Sequence, residues 1–150
     1  MQSFYAIFRH ELCHWIFAVL SLNKPQALHI GNNSGGYYSY TGKSNYFITL
    51  APYFSPITSL ALLMLSVLFT SPSTWFYILM GIALAFDAVV VIKDYHLGQP
   101  DWQRYGAGFS IAFSLAMAWL CLHTVLVLLL SPNYTAYLMR MWTIVHSYIL

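Results

Sequence analysis

The sequence predicts an all-α polytopic membrane protein with four transmembrane helices, a C-terminal helix and a short β-hairpin between the first two spans. Apolar residues make up 59% of its 150 residues, compared with about 45–50% in soluble domains. Charged residues make up only 7%, compared with about 25% in soluble domains. This composition excludes a water-soluble enzyme, and the six Lys+Arg are too few for a nucleic-acid-binding surface. Residues 1–150 are therefore interpreted as one membrane-embedded domain.

The gaps between charged residues predict where the chain crosses the membrane. No charged residue occurs from Ser44 to Phe86, a stretch about twice the ~20 residues that a crossing helix needs. A Ser-Pro-Ser sequence at 71–73 divides this stretch into two spans. The four predicted spans lie near Phe4–Leu22, Tyr46–Thr70, Trp75–Tyr95 and Tyr105–Leu130. Polar groups interrupt the first span, which excludes a cleaved signal peptide.

The last segment, Asn133–Leu150, is predicted to be a further helix, because Pro132 suits a first helical turn. Arg140 at its midpoint would be costly at the bilayer centre, which favours a surface or packed helix over a fifth span. The excess of Lys and Arg on one side predicts a cytoplasmic loop between the first two spans, with the N-terminus outside. We therefore expect a multi-pass protein of a cell membrane.

The polar segment between the first two spans predicts a β-hairpin. Residues 26–30 resemble a short strand, residues 31–36 form a turn rich in Gly and Asn, and residues 37–40 would be the returning strand. Backbone groups at membrane depth must be satisfied by protein or by a wet cavity. The hairpin is therefore expected at the membrane interface or lining a cleft.

The first predicted span contains an HExxH sequence, His10-Glu11-Leu12-Cys13-His14. Residues four apart share one helix face, so both imidazoles can bind the same metal ion. Glu11, the only glutamate of the chain, is then placed to act on a water molecule at the metal. The competing interpretation is a pair of packed histidines with Glu11 paired to Arg9. Residues two apart face different sides of a helix, which disfavours that pairing.

A catalytic zinc ion needs a third protein ligand and an open coordination position. Asp87 is the first choice, because it and His14 each lie about 12 Å from the Lys24 side of the membrane. Its neighbours are apolar, so no other role accounts for a carboxylate within the third span. Asp101 is the alternative, and it reaches the same depth only if residues 98–101 dip back into the membrane.

These features resemble the site-2 protease family of intramembrane zinc metalloproteases. The resemblance rests on the HExxH sequence in an early span, the glycine-containing hairpin at 35–37, the segment 50–56 and an acidic residue in or after the third span. Gln99-Pro100-Asp101, followed by a helix start at Gly106, is similar to small bacterial members. The Asn-Pro and Leu-Asp-Gly sequences of better-known members are absent, so the third ligand stays open between Asp87 and Asp101.

The resemblance implies a zinc metalloendopeptidase that binds one Zn²⁺ per chain and hydrolyses a transmembrane or membrane-proximal segment of a membrane protein. It implies His10, His14 and an aspartate as ligands and Glu11 as general base, in a bacterial cytoplasmic membrane. A regulatory membrane partner is a further expectation. The alternative is a non-proteolytic membrane metal-binding or assembly subunit. Such a protein needs ligands but no base, so the presence of Glu11 argues against it.

Overall fold

The computed structural model describes residues 4–31, 35–66, 73–95 and 98–130, with isolated positions between 133 and 147. This part of the chain is mostly helical and contains one two-stranded sheet. Its elements in chain order are α1 (Phe4–Leu20), β1 (Lys24–Ile30), β2 (Gly36–Thr41), α2 (Tyr46–Leu50), a 3-10 turn (Ala51–Tyr53), α3 (Ile57–Leu65), α4 (Thr74–Asp94), α5 (Pro100–Tyr105) and α6 (Ala107–Leu130).

Two helices of the described chain, α4 and α6, are long and apolar enough to cross a membrane. The most apolar window of each has a mean hydropathy of 2.2, and only 22% of that window in α4 and 11% in α6 is buried. Such large exposed apolar surfaces favour a lipid environment. The two helices coincide with the predicted third and fourth spans, near Trp75–Tyr95 and Tyr105–Leu130.

The structure does not establish all four predicted spans. Helix α1 coincides with the first, but its 17 residues are fewer than the about 20 that a crossing helix needs. The second, predicted near Tyr46–Thr70, is a bent pair rather than one helix: α2 with its 3-10 turn meets α3 at 89°. Pro56 lies in the break and has no N–H with which to continue a helix. If the bent pair is counted as one span, the described chain has three candidate spans: α4, α6 and this pair.

The predicted C-terminal helix, 133–150, is described only at isolated positions. Those at 136, 139–140, 142–143 and 146–147 are helical. Thr143 Oγ1 donates to the Met139 carbonyl at 2.9 Å, a bond between residues one helical turn apart. The other residues of this segment lie outside the described part, so its relation to the membrane stays a prediction.

The predicted hairpin is confirmed as an antiparallel pair of strands. Leu28 lies opposite Tyr38, and the Gly31 N–H donates to the Gly35 carbonyl at 2.9 Å where the strands turn. Gly35 has a φ of 80°, a left-handed conformation that glycine adopts without strain. Residues 32–34 of the predicted turn lie outside the described residues. Both strands pack against α1, which carries the HExxH sequence.

The main apolar core lies where α1 meets the bent pair and α5. Its buried members are Cys13, Leu50, Ala51, Tyr53, Phe54 and Trp102. A second buried cluster joins α3, α4 and α6 and consists of Leu63, Met80 and Val125. The first core fixes the 3-10 turn against α1, so that the helix break lies directly beside the histidines.

A buried ion pair between α1 and α4 stabilises the break. Arg9 Nε lies 3.4 Å from Asp87 Oδ1, and both side chains are almost fully buried. Arg9 Nη2 donates to the Ser55 carbonyl at 2.8 Å. Asp87 Oδ2 accepts from the Ser59 N–H at 2.8 Å and from its hydroxyl at 2.7 Å. The pair thus satisfies a carbonyl at the break and an N–H in the first turn of α3, groups that a helix terminus leaves without partners.

Replacement of Asp87 by alanine is expected to lower the free energy of unfolding by about 3–5 kcal/mol, because Arg9 would remain buried without its partner. Reversible unfolding in mixed micelles measures this change. The matched control is Ser59→Ala, which removes one hydroxyl hydrogen bond to the same carboxylate and should cost about 1 kcal/mol. Equal losses in the two variants would contradict the role assigned to the ion pair.

Candidate metal centre

The two histidines of α1 and Asp101 of α5 form a compact cluster of ligand atoms. Asp101 Oδ2 lies 3.5 Å from His10 Nε2 and 3.4 Å from His14 Nε2. One ligand atom from each of the three residues lies within 4.8 Å of the other two. Among the His, Cys, Asp and Glu side chains of the described ranges, these three form the one group that could hold a metal ion.

The distances from Asp101 Oδ2 to the two histidine Nε2 atoms, 3.5 and 3.4 Å, fit a zinc ion. Zinc bonds of about 2.0–2.2 Å at tetrahedral angles place neighbouring ligand atoms about 3.4 Å apart. A direct N–H···O hydrogen bond is shorter, about 2.7–3.2 Å between its heavy atoms. Two imidazoles and one carboxylate also form a donor set typical of catalytic zinc sites, which keep one position for water or substrate. By distance and by chemistry, the three side chains fit this metal.

Each histidine is oriented through its second ring nitrogen. His10 Nδ1 lies 3.3 Å from Asp94 Oδ2, and His14 Nδ1 lies 2.7 Å from the Ile48 carbonyl oxygen. Both partners are acceptors, so each Nδ1 donates a proton to them, and each Nε2 is the nitrogen that would bind a metal once its own proton is released. The Tyr38 ring stacks on His14 with a centroid separation of 4.2 Å and further limits rotation of that imidazole.

Glu11 lines a cavity of about 650 Å³ together with His10 and Asp101. Its side chain packs against Gly36 of β2, where an added Cβ would lie 2.5 Å from Glu11 Cγ. A glycine at this position therefore lets the hairpin lie directly on the carboxylate without displacing it. The carboxylate, two candidate ligands and the first residues of β2 share one space that a substrate segment could enter.

The Asp101 carboxyl is held in its ionised form. Burial alone would raise its pKa, but the interactions with His10 and His14 outweigh burial and hold the pKa well below the usual range. The hydroxyl of Tyr53 also donates to Asp101 Oδ2, at 3.0 Å. Because metals bind the ionised carboxylate, this electrostatic environment keeps Asp101 available as a ligand at neutral pH.

Asp87, the first choice from the sequence for the third ligand, lies outside this cluster. Its oxygens face Arg9 and the first turn of α3 instead. The choice of Asp87 assumed that a carboxylate within a span has no other role. The break in the bent pair supplies that role, because the exposed N–H groups need an acceptor. The geometry favours the alternative, Asp101, which α5 places beside both histidines.

Three groups at the centre were missed from the sequence: the Asp94 carboxylate, the Tyr53 hydroxyl and the Ile48 carbonyl. Asp94 follows Asp87 by seven residues, and both are buried on the same side of α4. Helical periodicity was therefore a signal that could have identified it. The Ile48 carbonyl can pair with His14 because Pro52, four residues later, has no N–H to donate to it, and that proline was a signal in the sequence. No comparable signal marks the Tyr53 hydroxyl.

Zinc content distinguishes the two candidate third ligands. The purified full chain in detergent is expected to bind about one zinc ion, and Asp101→Ala should lose most of it because one of three protein ligands is removed. Asp87→Asn, which keeps the shape and an acceptor for the Ser59 N–H but weakens the pair with Arg9, is the comparison variant, and its folded fraction should retain the metal. Metal analysis by mass spectrometry measures both. Loss of zinc from Asp87→Asn but not from Asp101→Ala would contradict the assignment.

Comparison with known proteins adds nothing to this geometry. The chain matches no family model, and no curated protein and no solved structure matches it. Its function must therefore be inferred from the chemistry of the His10, His14 and Asp101 cluster and the groups around it.

Proposed function

We propose that this chain is an intramembrane zinc metalloprotease of the site-2 protease type. Its ligands are His10, His14 and Asp101, and its general base is Glu11. One observation carries the proposal: the only glutamate of the chain lines the same cavity as two of the three candidate ligands, His10 and Asp101. A site that merely stores or transfers a metal needs the ligands but has no use for an adjacent carboxylate base.

The chain's own residues suit peptide hydrolysis. Zinc, when bound, would supply polarisation of the peptide carbonyl and would lower the pKa of a water molecule. Glu11 accepts the proton of the attacking water and returns it to the amide nitrogen that leaves. Asp94 and the Ile48 carbonyl keep the imidazoles in the tautomer that the ligand role requires.

The surroundings of the centre support a membrane-embedded protein as substrate. The helices α4 and α6 expose apolar surface along their lengths, which favours approach of a substrate through the bilayer. Residues at the start of β2, including Gly36 and Tyr37, line the cavity. A peptide must be extended to be cleaved, and an extended segment entering here would run beside β2, whose second edge pairs with no strand in the described part of the chain.

Glu11→Gln separates the protease from the alternative, a non-proteolytic metal-binding subunit. This change keeps the size of the side chain but removes the base, so cleavage should fall about 10²–10⁴-fold while zinc content stays unchanged. The assay follows cleavage of single-span test substrates by the purified chain in proteoliposomes. Full activity of Glu11→Gln would disprove the proposed mechanism, and zinc binding without any cleavage by the wild type would favour the alternative.

Gly36→Ala tests the position of the base without removing it. The added methyl group would lie 2.5 Å from Glu11 Cγ and 3.0 Å from Ile7 Cγ2, so the carboxylate or the strand must shift. We expect at least a tenfold loss of cleavage with zinc content retained, because small displacements of a catalytic group are costly. Gly108→Ala in α6 is the control, since nothing lies within 4 Å of its added Cβ. A larger loss in the control would contradict this role of Gly36.

A further inference from the structure

Asp101, the proposed third ligand, lies on a short helix and borders the cavity. Helix α5 has only six residues and ends before Gly106, which has a φ of 83°. The Asp101 side chain keeps 22% of its surface exposed, whereas that of His14 keeps 2%. A carboxylate that borders an open cavity can rotate towards water, so its orientation towards the histidines requires an anchor.

The Tyr53 hydroxyl is in the position to provide that anchor. It donates to Asp101 Oδ2 at 3.0 Å, the same oxygen that faces Nε2 of both histidines. A hydrogen bond to an ionised carboxylate is about twice as strong as one between neutral groups. Carboxylate oxygens carry more than one lone pair, so Oδ2 can accept this bond and still bind a metal ion.

Tyr53 is itself held rigidly by its surroundings. Its side chain is fully buried, and its ring makes edge-to-face contacts with Trp102 at 5.4 Å and with His10 at 5.5 Å between centroids. Its backbone carbonyl accepts a hydrogen bond from the Tyr95 hydroxyl at 3.2 Å. Because Tyr53 ends the 3-10 turn of the bent pair, the place of its hydroxyl is set by the helix break.

We infer that Tyr53 is a positioning residue of the metal centre, whose hydroxyl holds the Asp101 carboxylate in the orientation that binds the ion. The inference rests on the proposed function, since it assigns a role at the same site. Tyr53 acts through Asp101 and contacts neither zinc nor substrate. The break in the second span thereby determines the geometry of a ligand that lies about fifty residues later in the chain.

Tyr53→Phe removes the hydroxyl and keeps the buried ring. Competition with a chelator, using the full chain in detergent, should show a zinc affinity about 10–100-fold lower than that of the wild type. The absorption spectrum of the cobalt-substituted protein should change as the carboxylate reorients, and saturating zinc should restore the kcat of cleavage. The matched control is Tyr46→Phe, which removes a hydroxyl from the same bent pair, at a ring that packs against Phe109 and Phe113, and should bind zinc within threefold of the wild type.

The outcomes separate this inference from the proposed function. Wild-type zinc affinity and an unchanged cobalt spectrum in Tyr53→Phe would overturn the inference alone. A kcat that stays low at saturating zinc would also overturn it, because the hydroxyl would then act on the reaction itself. Failure of the wild-type chain to bind zinc would overturn the proposed function and this inference with it. Thermal unfolding in excess chelator checks that both variants fold without metal.

Discussion

The buried pair of Arg9 and Asp87 is the interaction on which the rest of the structure depends. A helix broken within the membrane leaves carbonyl and N–H groups that lipid cannot satisfy. On one side of the break, Arg9 donates a hydrogen bond to the Ser55 carbonyl. On the other side, Asp87 accepts a hydrogen bond from the Ser59 N–H. Pro56 interrupts the helix, and this pair supplies partners for backbone groups that the 89° bend between α2 and α3 leaves without them.

The bent pair matters because its first half presents two groups to the centre. The Ile48 carbonyl accepts from His14, and the Tyr53 hydroxyl donates to Asp101. Arg9 belongs to the same helix as both histidines, so α1 both contacts the break and carries two of the candidate metal ligands. The ion pair of Arg9 and Asp87 thus stabilises the segment whose Ile48 and Tyr53 groups contact two of the candidate ligands.

How much of this could be predicted from the sequence depends on distance along the chain. The HExxH helix and the hairpin are set by residues close together in the sequence. Helices α4 and α6 are set by long uncharged runs. Local sequence patterns were therefore sufficient to predict all four elements. The choice between the two candidate third ligands depends on a distant contact. Asp87 is paired with Arg9, which lies 78 residues earlier in the chain. The depth calculation that favoured Asp87 treated the spans as straight rods, and it could not represent a helix break that needs its own acceptor.

The four acidic residues of the chain occupy four different environments, and these environments account for their separate roles. Asp87 is paired with a guanidinium, and Asp94 lies behind a histidine at its Nδ1. Asp101 faces both Nε2 atoms, while Glu11 has no cation at hydrogen-bond distance among the described contacts and borders the cavity. A base must be free to exchange a proton with its substrate, whereas a ligand or an ion-pair partner must keep its charge. Glu11 is the acidic side chain that is neither paired with a cation nor placed against the histidines as a candidate ligand. It is therefore the one suited to accept the proton of the attacking water.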